Sequence, residues 1–145
     1  MTSRVDYCNE VFAAAPKVTT NKLQRVLNAA ARVVTGTRKI DRGLSQLLHT
    51  ELHWLDVPER VKYKLSVMAH RCLSGCSQYL ATYCVPVSSI AARQHLRSAV
   101  RHQLAVPSHR LGTYGRRAFA IAGPTTWNSL PTHLRRVENS TAAFG

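Results

Sequence analysis

Residues 21–36, NKLQRVLNAAARVVTG, are the stretch on which the predicted fold depends. Its larger apolar residues recur at steps of three and four, as they do along one face of a helix. They are Leu23, Val26, Leu27, Ala30, Val33 and Val34. Thr20 is the expected N-cap, and Gly36 is suited to end the helix in the left-handed conformation. We therefore predict a helix that packs this stripe into a core and presents a second line, Lys22, Arg25 and Arg32, to water or to phosphate.

Further helices are predicted on both sides of this one. Residues 5–15 have an apolar side and stop at Pro16, so they should form a helix that packs antiparallel against the central one. Residues 43–49 predict a short helix. Asp56 and Glu59 have the spacing of a capping pattern, and they mark the start of a longer helix that ends near Gly75. The apolar positions of this longer helix are Val57, Val61, Leu65, Met68 and Cys72.

The predicted fold is mainly α. A helical bundle in residues 1–75 is followed by a small α+β or irregular extension in residues 76–145. In the extension we expect a short helix at 77–84, a loop at 85–97, short strands at 101–107 and 117–121, and a helix with Pro124 in its first turn. Ser140 should cap one more helix, which the chain is too short to complete. We therefore expect the extension to be truncated, and further sequence to be missing before residue 1.

The charge balance of the chain concerns its partner more than its fold. Lys and Arg number 20 against 7 Asp and Glu, which gives a formal charge of +13, and 15 of the basic residues are arginine. No acidic residue occurs between Arg60 and Val137. Because arginine binds phosphate bidentately and stacks on bases, the pattern favours a nucleic acid. The alternative is that acidic regions of a larger protein neutralise this positive charge.

Several kinds of chemistry find no support in the motifs. Cys72 and Cys76 have helical spacing, with Cys84 and His70 nearby, but the chain has no CxxC motif, so we expect buried thiols rather than zinc. The sequence HTELH is not a zinc protease helix, because the glutamate must directly follow the first histidine. No two aspartates are adjacent. We expect no metal, no cofactor and no catalytic residue. The first residues lack a signal peptide, so we expect no secretion, and the uncharged run 72–92 is too interrupted to span a membrane.

Four stretches, taken together, match a known pattern: VDYCNEVF, NKLQRVLNAAARVVTGTRK, LHWLDVPERVKYKL and RLGTYGRRAFAIAGPTTWNSLPTHLR. In this order they resemble the C-terminal region of non-LTR retrotransposon (LINE-type, jockey-like) reverse transcriptases, downstream of the fingers and palm. The resemblance covers nearly the whole chain. Its most specific residues are Gly115, Arg117, Phe119, Pro124, Trp127, Asn128, Leu130 and Pro131.

The resemblance implies a helical thumb-like segment followed by a small extension. In that family the parent enzyme copies RNA into DNA with Mg²⁺ held by adjacent palm aspartates, and the thumb holds the template–primer duplex. This chain lacks the aspartate pair, so the resemblance implies a nuclear, non-catalytic fragment that partners the missing upstream domains and binds RNA or an RNA–DNA duplex. The predicted backbone contacts are Lys22, Arg25, Arg32, Arg38, Lys39, Arg60, Lys64 and Arg71.

A second interpretation of the same residues is a protein interaction module. In that case the region around Trp127 would dock onto the missing polymerase domains, and the basic charge would be incidental. The dependence of RNA binding on salt separates the two interpretations. An enzyme complete in itself is a third, and the scarcity of carboxylates argues against it.

Overall fold

The computed structural model describes residues 6–75, 78–109 and 115–135, and their regular structure is helical, as the mainly α prediction requires. Within these residues the α-helices are α1 (Lys17–Thr35), α2 (Leu44–Thr50), α3 (Val57–Leu73), α4 (Gln78–Ala81), α5 (Arg97–Val100) and α6 (Phe119–Asn128). Short 3-10 helices occupy Asn9–Phe12, Val87–Ser89, Gly115–Arg117 and Thr132–Arg135. Extended pairing in the described part is an isolated antiparallel bridge between Pro86 and Leu104.

The chain divides into two compact units, Met1–Val61 and Lys62–Gly145. The division falls within α3, earlier than the boundary predicted after residue 75. Each unit has buried residues of its own. Those of the first unit are Asn9, Ala13, Leu27, Ala31, Leu48, Val57 and Val61.

Helix α1 begins at Lys17, directly after Pro16, which is earlier than predicted. Thr20 is therefore not the N-cap: it lies inside the first turns, where its Oγ1 donates to the carbonyl of Lys17 at 3.1 Å. The predicted end is confirmed, because Gly36 has a φ of 67° and closes the helix in the left-handed region.

The face that α1 buries differs from the predicted stripe. Leu27 and Ala31 are 2% and 0% exposed, whereas Val26 and Val33 are 60% and 83% exposed. A step of about 100° per residue places these two valines roughly 100–120° around the helix from Leu27. Val34, at the last turn, is also 59% exposed. Val34 lies on the same side of the helix as Leu27, because seven residues make almost two full turns. Helix α1 thus buries the side that bears Leu27 and Ala31, and this contact ends before the last turn.

The helix predicted for residues 5–15 is wrong in its extent. Asn9–Phe12 form a single 3-10 turn, and residue 5 lies outside the described residues. Cys8 and Ala14 have φ angles of 51° and 50°, so the backbone is left-handed on both sides of the turn. Pro16 also disfavours helical geometry at the residue before it. No antiparallel helix pair forms in this described segment.

The start of α3 confirms the predicted capping pattern: the backbone N–H of Asp56 donates to Glu59 Oε2 at 3.2 Å. The side chain of Gln24 on α1 adds a connection that was not predicted. Its Nε2 donates to Asp56 Oδ1 at 2.8 Å, and its Oε1 accepts the N–H of Val57 at 2.9 Å. Gln24 therefore satisfies one of the backbone donors that the first turn of α3 leaves free. The predicted apolar line is confirmed along α3, where Val57, Val61, Leu65 and Cys72 are buried and Met68 is half-buried.

The core of the second unit surrounds Trp127, which is 0% exposed. Its buried neighbours are Ala69, Cys72, Cys84 and Leu104, and Leu73, Leu80, Phe119 and Leu130 pack against them. The strand predicted for 117–121 is wrong: this segment ends a 3-10 turn and begins α6. Pro124 lies within α6 rather than in its first turn. Five residues of alternation fit a helix as well as a strand, which explains the error. The strand predicted for 101–107 is reduced to the single bridge at Leu104, and Ser140 lies outside the described residues.

Trp127 and Asn128 fix the segment that follows α5. The indole Nε1 of Trp127 donates to the carbonyl of His102 at 3.0 Å. The amide of Asn128 accepts the N–H of Leu104 and donates to its carbonyl, both at 2.8 Å. Two of the residues on which the resemblance depends therefore hold the second unit together.

Candidate nucleic-acid interface

Four of the predicted contact residues in the first unit are exposed and carry unengaged side chains. Lys22 and Arg25 lie on α1, and Arg38 and Lys39 lie in the loop after it. No side chain of the four forms a hydrogen bond or ion pair with the described residues. The backbone N–H of Arg38 donates to Asp41 Oδ2 at 2.7 Å. Their charges are therefore free to meet an external anion.

Arg32 departs from the predicted basic line. It is half-buried, and its Nε is buried without a hydrogen-bond partner. The outward side of α1 is instead completed by Ala29 and by the exposed Val26 and Val33. This face mixes two cations with a short apolar strip, so it differs from the purely basic surface expected from the sequence.

Arg60 is engaged within its own unit. Its Nη1 lies 2.8 and 2.9 Å from the two carboxylate oxygens of Asp6, and its Nε donates to the carbonyl of Leu55 at 2.7 Å. Only 11% of its side chain is exposed. A guanidinium held in this way stabilises the first unit and offers little charge to a phosphate. Of the predicted contacts, Arg60 is therefore less available to a phosphate than the exposed cations of α1, and no sequence signal pairs it with a residue 54 positions away.

Lys64 and Arg71 belong to the second unit and lie on the later turns of α3. Arg71 is exposed, Lys64 is half-buried, and neither side chain forms a hydrogen bond or ion pair with the described residues. Their separation of seven residues, close to two helical turns, places them on the same side of the helix. They remain candidates for a phosphate contact.

The three aspartates of the first unit are engaged locally. Asp6 binds Arg60, and Asp56 accepts from Gln24. Asp41 accepts a backbone N–H, as described above. None of these groups neutralises Lys22 or Arg25, so the face of α1 keeps its positive charge.

No protein-family model, curated protein or solved structure matches the chain. In the part of the chain that the structure describes, no helix has the length and apolarity needed to cross a membrane.

Cys72 and Cys84 lie in the core of the second unit, as expected. Burial raises the pKa of the Cys72 thiol. Burial, together with the neighbouring Cys72, raises the pKa of Cys84 to about 12. Both groups are therefore protonated thiols near neutral pH. Cys76, the other cysteine considered for zinc, lies outside the described residues, among which no group of three or more His, Cys, Asp or Glu is placed to hold a metal ion.

Sequence reasoning missed Gln24, although a signal for it exists. This polar residue follows Leu23 and precedes Leu27 on the side of α1 that is buried. A polar side chain in that position needs hydrogen-bond partners, and the start of the next long helix supplies them. The residue fixes α1 against the first turn of α3 within the first unit, and so it orients the face that bears Lys22 and Arg25.

Proposed function

We propose that this chain is part of a non-LTR retrotransposon reverse transcriptase, and that α1 and the loop after it bind the backbone of an RNA or RNA–DNA duplex. The observation that carries the proposal is the outward face of α1, on which Lys22 and Arg25 are exposed and free of ion pairs. The resemblance supplies the class of ligand. Because the sequence lacks the palm aspartates, the proposed role is binding rather than catalysis, and a nuclear location follows from the same resemblance.

The physical basis is neutralisation of phosphates by fixed cations. Lys22 and Arg25 are three residues apart, so they project from adjacent positions on one side of α1. Arg38 and Lys39 extend the positive charge past the end of the helix. Each phosphate contact releases counterions, so affinity should fall steeply with salt and depend little on sequence.

The test is the salt dependence of duplex binding, measured by fluorescence anisotropy with a labelled RNA–DNA duplex. The Lys22→Gln, Arg25→Gln double variant should lower the magnitude of the log–log salt slope by roughly 0.7–0.9 for each lost contact. Two duplexes of unrelated sequence should lose affinity equally.

A charge-conserving variant, Lys22→Arg with Arg25→Lys, is the matched control and should keep the wild-type slope. Circular dichroism checks that α1 remains folded in both variants. If the charge-removing variant keeps the wild-type slope with its helix content intact, the proposal fails for α1.

The exposed valines favour a second candidate, the docking module. Val26 and Val33 border Lys22 on the outward face, and exposed apolar side chains in a row are typical of a protein contact. Trp127 does not contribute to such a surface, because it is 0% exposed. On this candidate function, α1 packs against upstream polymerase domains, and the salt series shows identical slopes for the wild type and the double variant.

A further inference from the structure

We propose that residues 88–102 in the second unit form a binding loop for single-stranded nucleic acid, separate from the face of α1. The loop carries three arginines, Arg93, Arg97 and Arg101, and all three are exposed. Their side chains form no hydrogen bond or ion pair with the described residues. The sequence predicted a loop at 85–97 and a short strand at 101–107, and it assigned neither segment a role.

The base of the loop is closed by backbone pairing. The N–H of Val87 donates to the carbonyl of Gln103 at 2.9 Å, and the N–H of Ala105 donates to the carbonyl of Val85 at 2.8 Å. These bonds surround the bridge between Pro86 and Leu104. A surface loop whose ends meet in this way is a compact unit, and such loops are frequently functional.

The opposite edge of the base is held by side chains of α6. Trp127 binds the carbonyl of His102, and Asn128 binds both backbone groups of Leu104. Within the loop, Ala99 on the short helix α5 is buried, with 8% of the residue exposed. The loop is therefore fixed at its base and at α5, so little conformational entropy remains to be lost there when a ligand binds.

The three arginines place exposed positive charges at four-residue intervals along the loop. The N–H of Arg101 donates to the carbonyl of Arg97 at 3.2 Å, so these two residues lie one helical turn apart. Arg93 lies four residues before Arg97, in the turns that lead into α5. No carboxylate occurs between Arg60 and Val137, so the sequence around the loop supplies no counter-charge. The chemistry of the surface therefore selects a polyanion.

Two exposed aromatic residues narrow the class of polyanion. Tyr79 on α4 is 78% exposed, and Tyr83, one turn later, is 47% exposed. Tyr83 precedes the base of the loop by two residues. Proteins that bind single strands without sequence preference combine positive charge with exposed aromatic rings, because each unpaired base offers a face for stacking. A duplex keeps its bases stacked internally, and an acidic protein gains little from free tyrosine faces, so a single strand fits this surface best.

The experiment uses the full chain and fluorescein-labelled oligouridylate, with anisotropy recorded across a salt series. The Arg93→Gln, Arg97→Gln, Arg101→Gln variant should lower the magnitude of the slope by roughly 0.7 for each lost contact. Tyr79→Ala should weaken binding about tenfold, as expected for the loss of one stacked base. Tyr7→Ala is its matched control, since Tyr7 is 80% exposed but lies in the first unit, and it should bind as the wild type does.

Three outcomes would overturn the inference. The first is unchanged oligouridylate binding in the folded triple variant; if that variant does not fold, unchanged binding in Arg97→Gln and Tyr79→Ala is decisive. The second is an equal loss of slope per charge removed in the Lys22→Gln, Arg25→Gln variant, since net charge alone would then explain the effect. The third is equal competition by polyglutamate of matched charge, which would assign the loop to an acidic protein. Because the proposed function is read from duplex binding and α1 variants, either idea can fail without the other.

Discussion

A single amide side chain, that of Asn128, satisfies both backbone groups of Leu104, as a neighbouring strand would. Leu104 is only 3% exposed, so water cannot replace these bonds. Trp127 beside it fills the core and also binds a loop carbonyl. The residues that make the C-terminal stretch of sequence distinctive therefore have a structural explanation, and the binding proposals rest on other residues.

Replacement of Asn128 by alanine should destabilise the second unit by about 1–3 kcal/mol, because a buried donor and a buried acceptor lose their partner. Gln78→Ala, at an exposed position of α4 in the same unit, should change stability by no more than about 0.5 kcal/mol. Urea unfolding followed by tryptophan fluorescence measures both. Equal midpoints for the two variants would show that the Asn128 hydrogen bonds contribute nothing.

The cysteines should differ sharply in reactivity. In a Cys76→Ser variant, Cys8 is exposed and should react quickly with an aromatic disulfide reagent, whereas the buried Cys72 and Cys84 should react slowly until the chain is unfolded in urea. The pKa of Cys84 rises from 9.0 to about 12 on folding, so between these values the unfolded chain loses a proton that the native chain keeps. Stability from this group is therefore present below pH 9 and is lost as pH rises towards 12. Equal reaction rates for all three thiols in the native protein would contradict this prediction.

At the scale of the elements, the long helices and the short helix α2 were predictable from the sequence, whereas the 3-10 turn at Asn9–Phe12 and the start of α6 were not. In α1 and α3 many residues repeat the same periodicity, and a glycine stop at Gly36 fixes one end. In residues 5–15 and 117–121 only a few residues carry the pattern, so local backbone geometry and contacts with distant residues decide the outcome. Which side of α1 is buried also depends on partners elsewhere in the first unit, such as the first turn of α3, and periodicity alone does not reveal it.

The burial of α1 can be tested with two substitutions on the same helix. Leu27→Ala should cost about 2–5 kcal/mol, because Leu27 is buried and the change leaves a cavity. Val33→Ala should change stability by no more than about 0.5 kcal/mol, because Val33 is 83% exposed. Thermal unfolding by circular dichroism compares them. If Val33→Ala lowered stability more than Leu27→Ala, the buried face of α1 would be the apolar stripe predicted from the sequence.

The basic residues behind the charge of +13 are of two kinds: some are buried or ion-paired within the fold, and others are exposed to solvent. Arg60 forms an ion pair with Asp6, and Arg32 is half-buried. Arg135 is 5% exposed, and its Nη2 donates to Thr132 Oγ1. Among the described residues, exposed and unengaged cations lie on α1 and the loop after it, on α3 and in the loop 88–102. Composition predicted that a polyanion would bind, but only the three-dimensional contacts separate the cations that can bind it from those that hold the fold.

This division predicts opposite effects for two arginines of the same helix. Arg60→Gln and Arg71→Gln each remove one positive charge from α3, so their effects on net charge are identical. Arg71 is exposed and unengaged, and its loss should lower the magnitude of the salt slope for nucleic-acid binding by roughly 0.7–0.9 with little change in stability. The charge of Arg60 is already neutralised by Asp6, so its loss should leave the slope unchanged.

The cost of losing Arg60 should appear in stability instead, at about 1–3 kcal/mol, because Asp6 and the carbonyl of Leu55 both lose a charged donor. Asp6→Asn completes the comparison: it frees Arg60 and should raise the magnitude of the slope above that of the wild type. Anisotropy titrations across a salt series, with urea unfolding of the same samples, measure both quantities. If Arg60→Gln and Arg71→Gln lower the slope equally, net charge governs binding, and the distinction between engaged and free cations has no functional meaning.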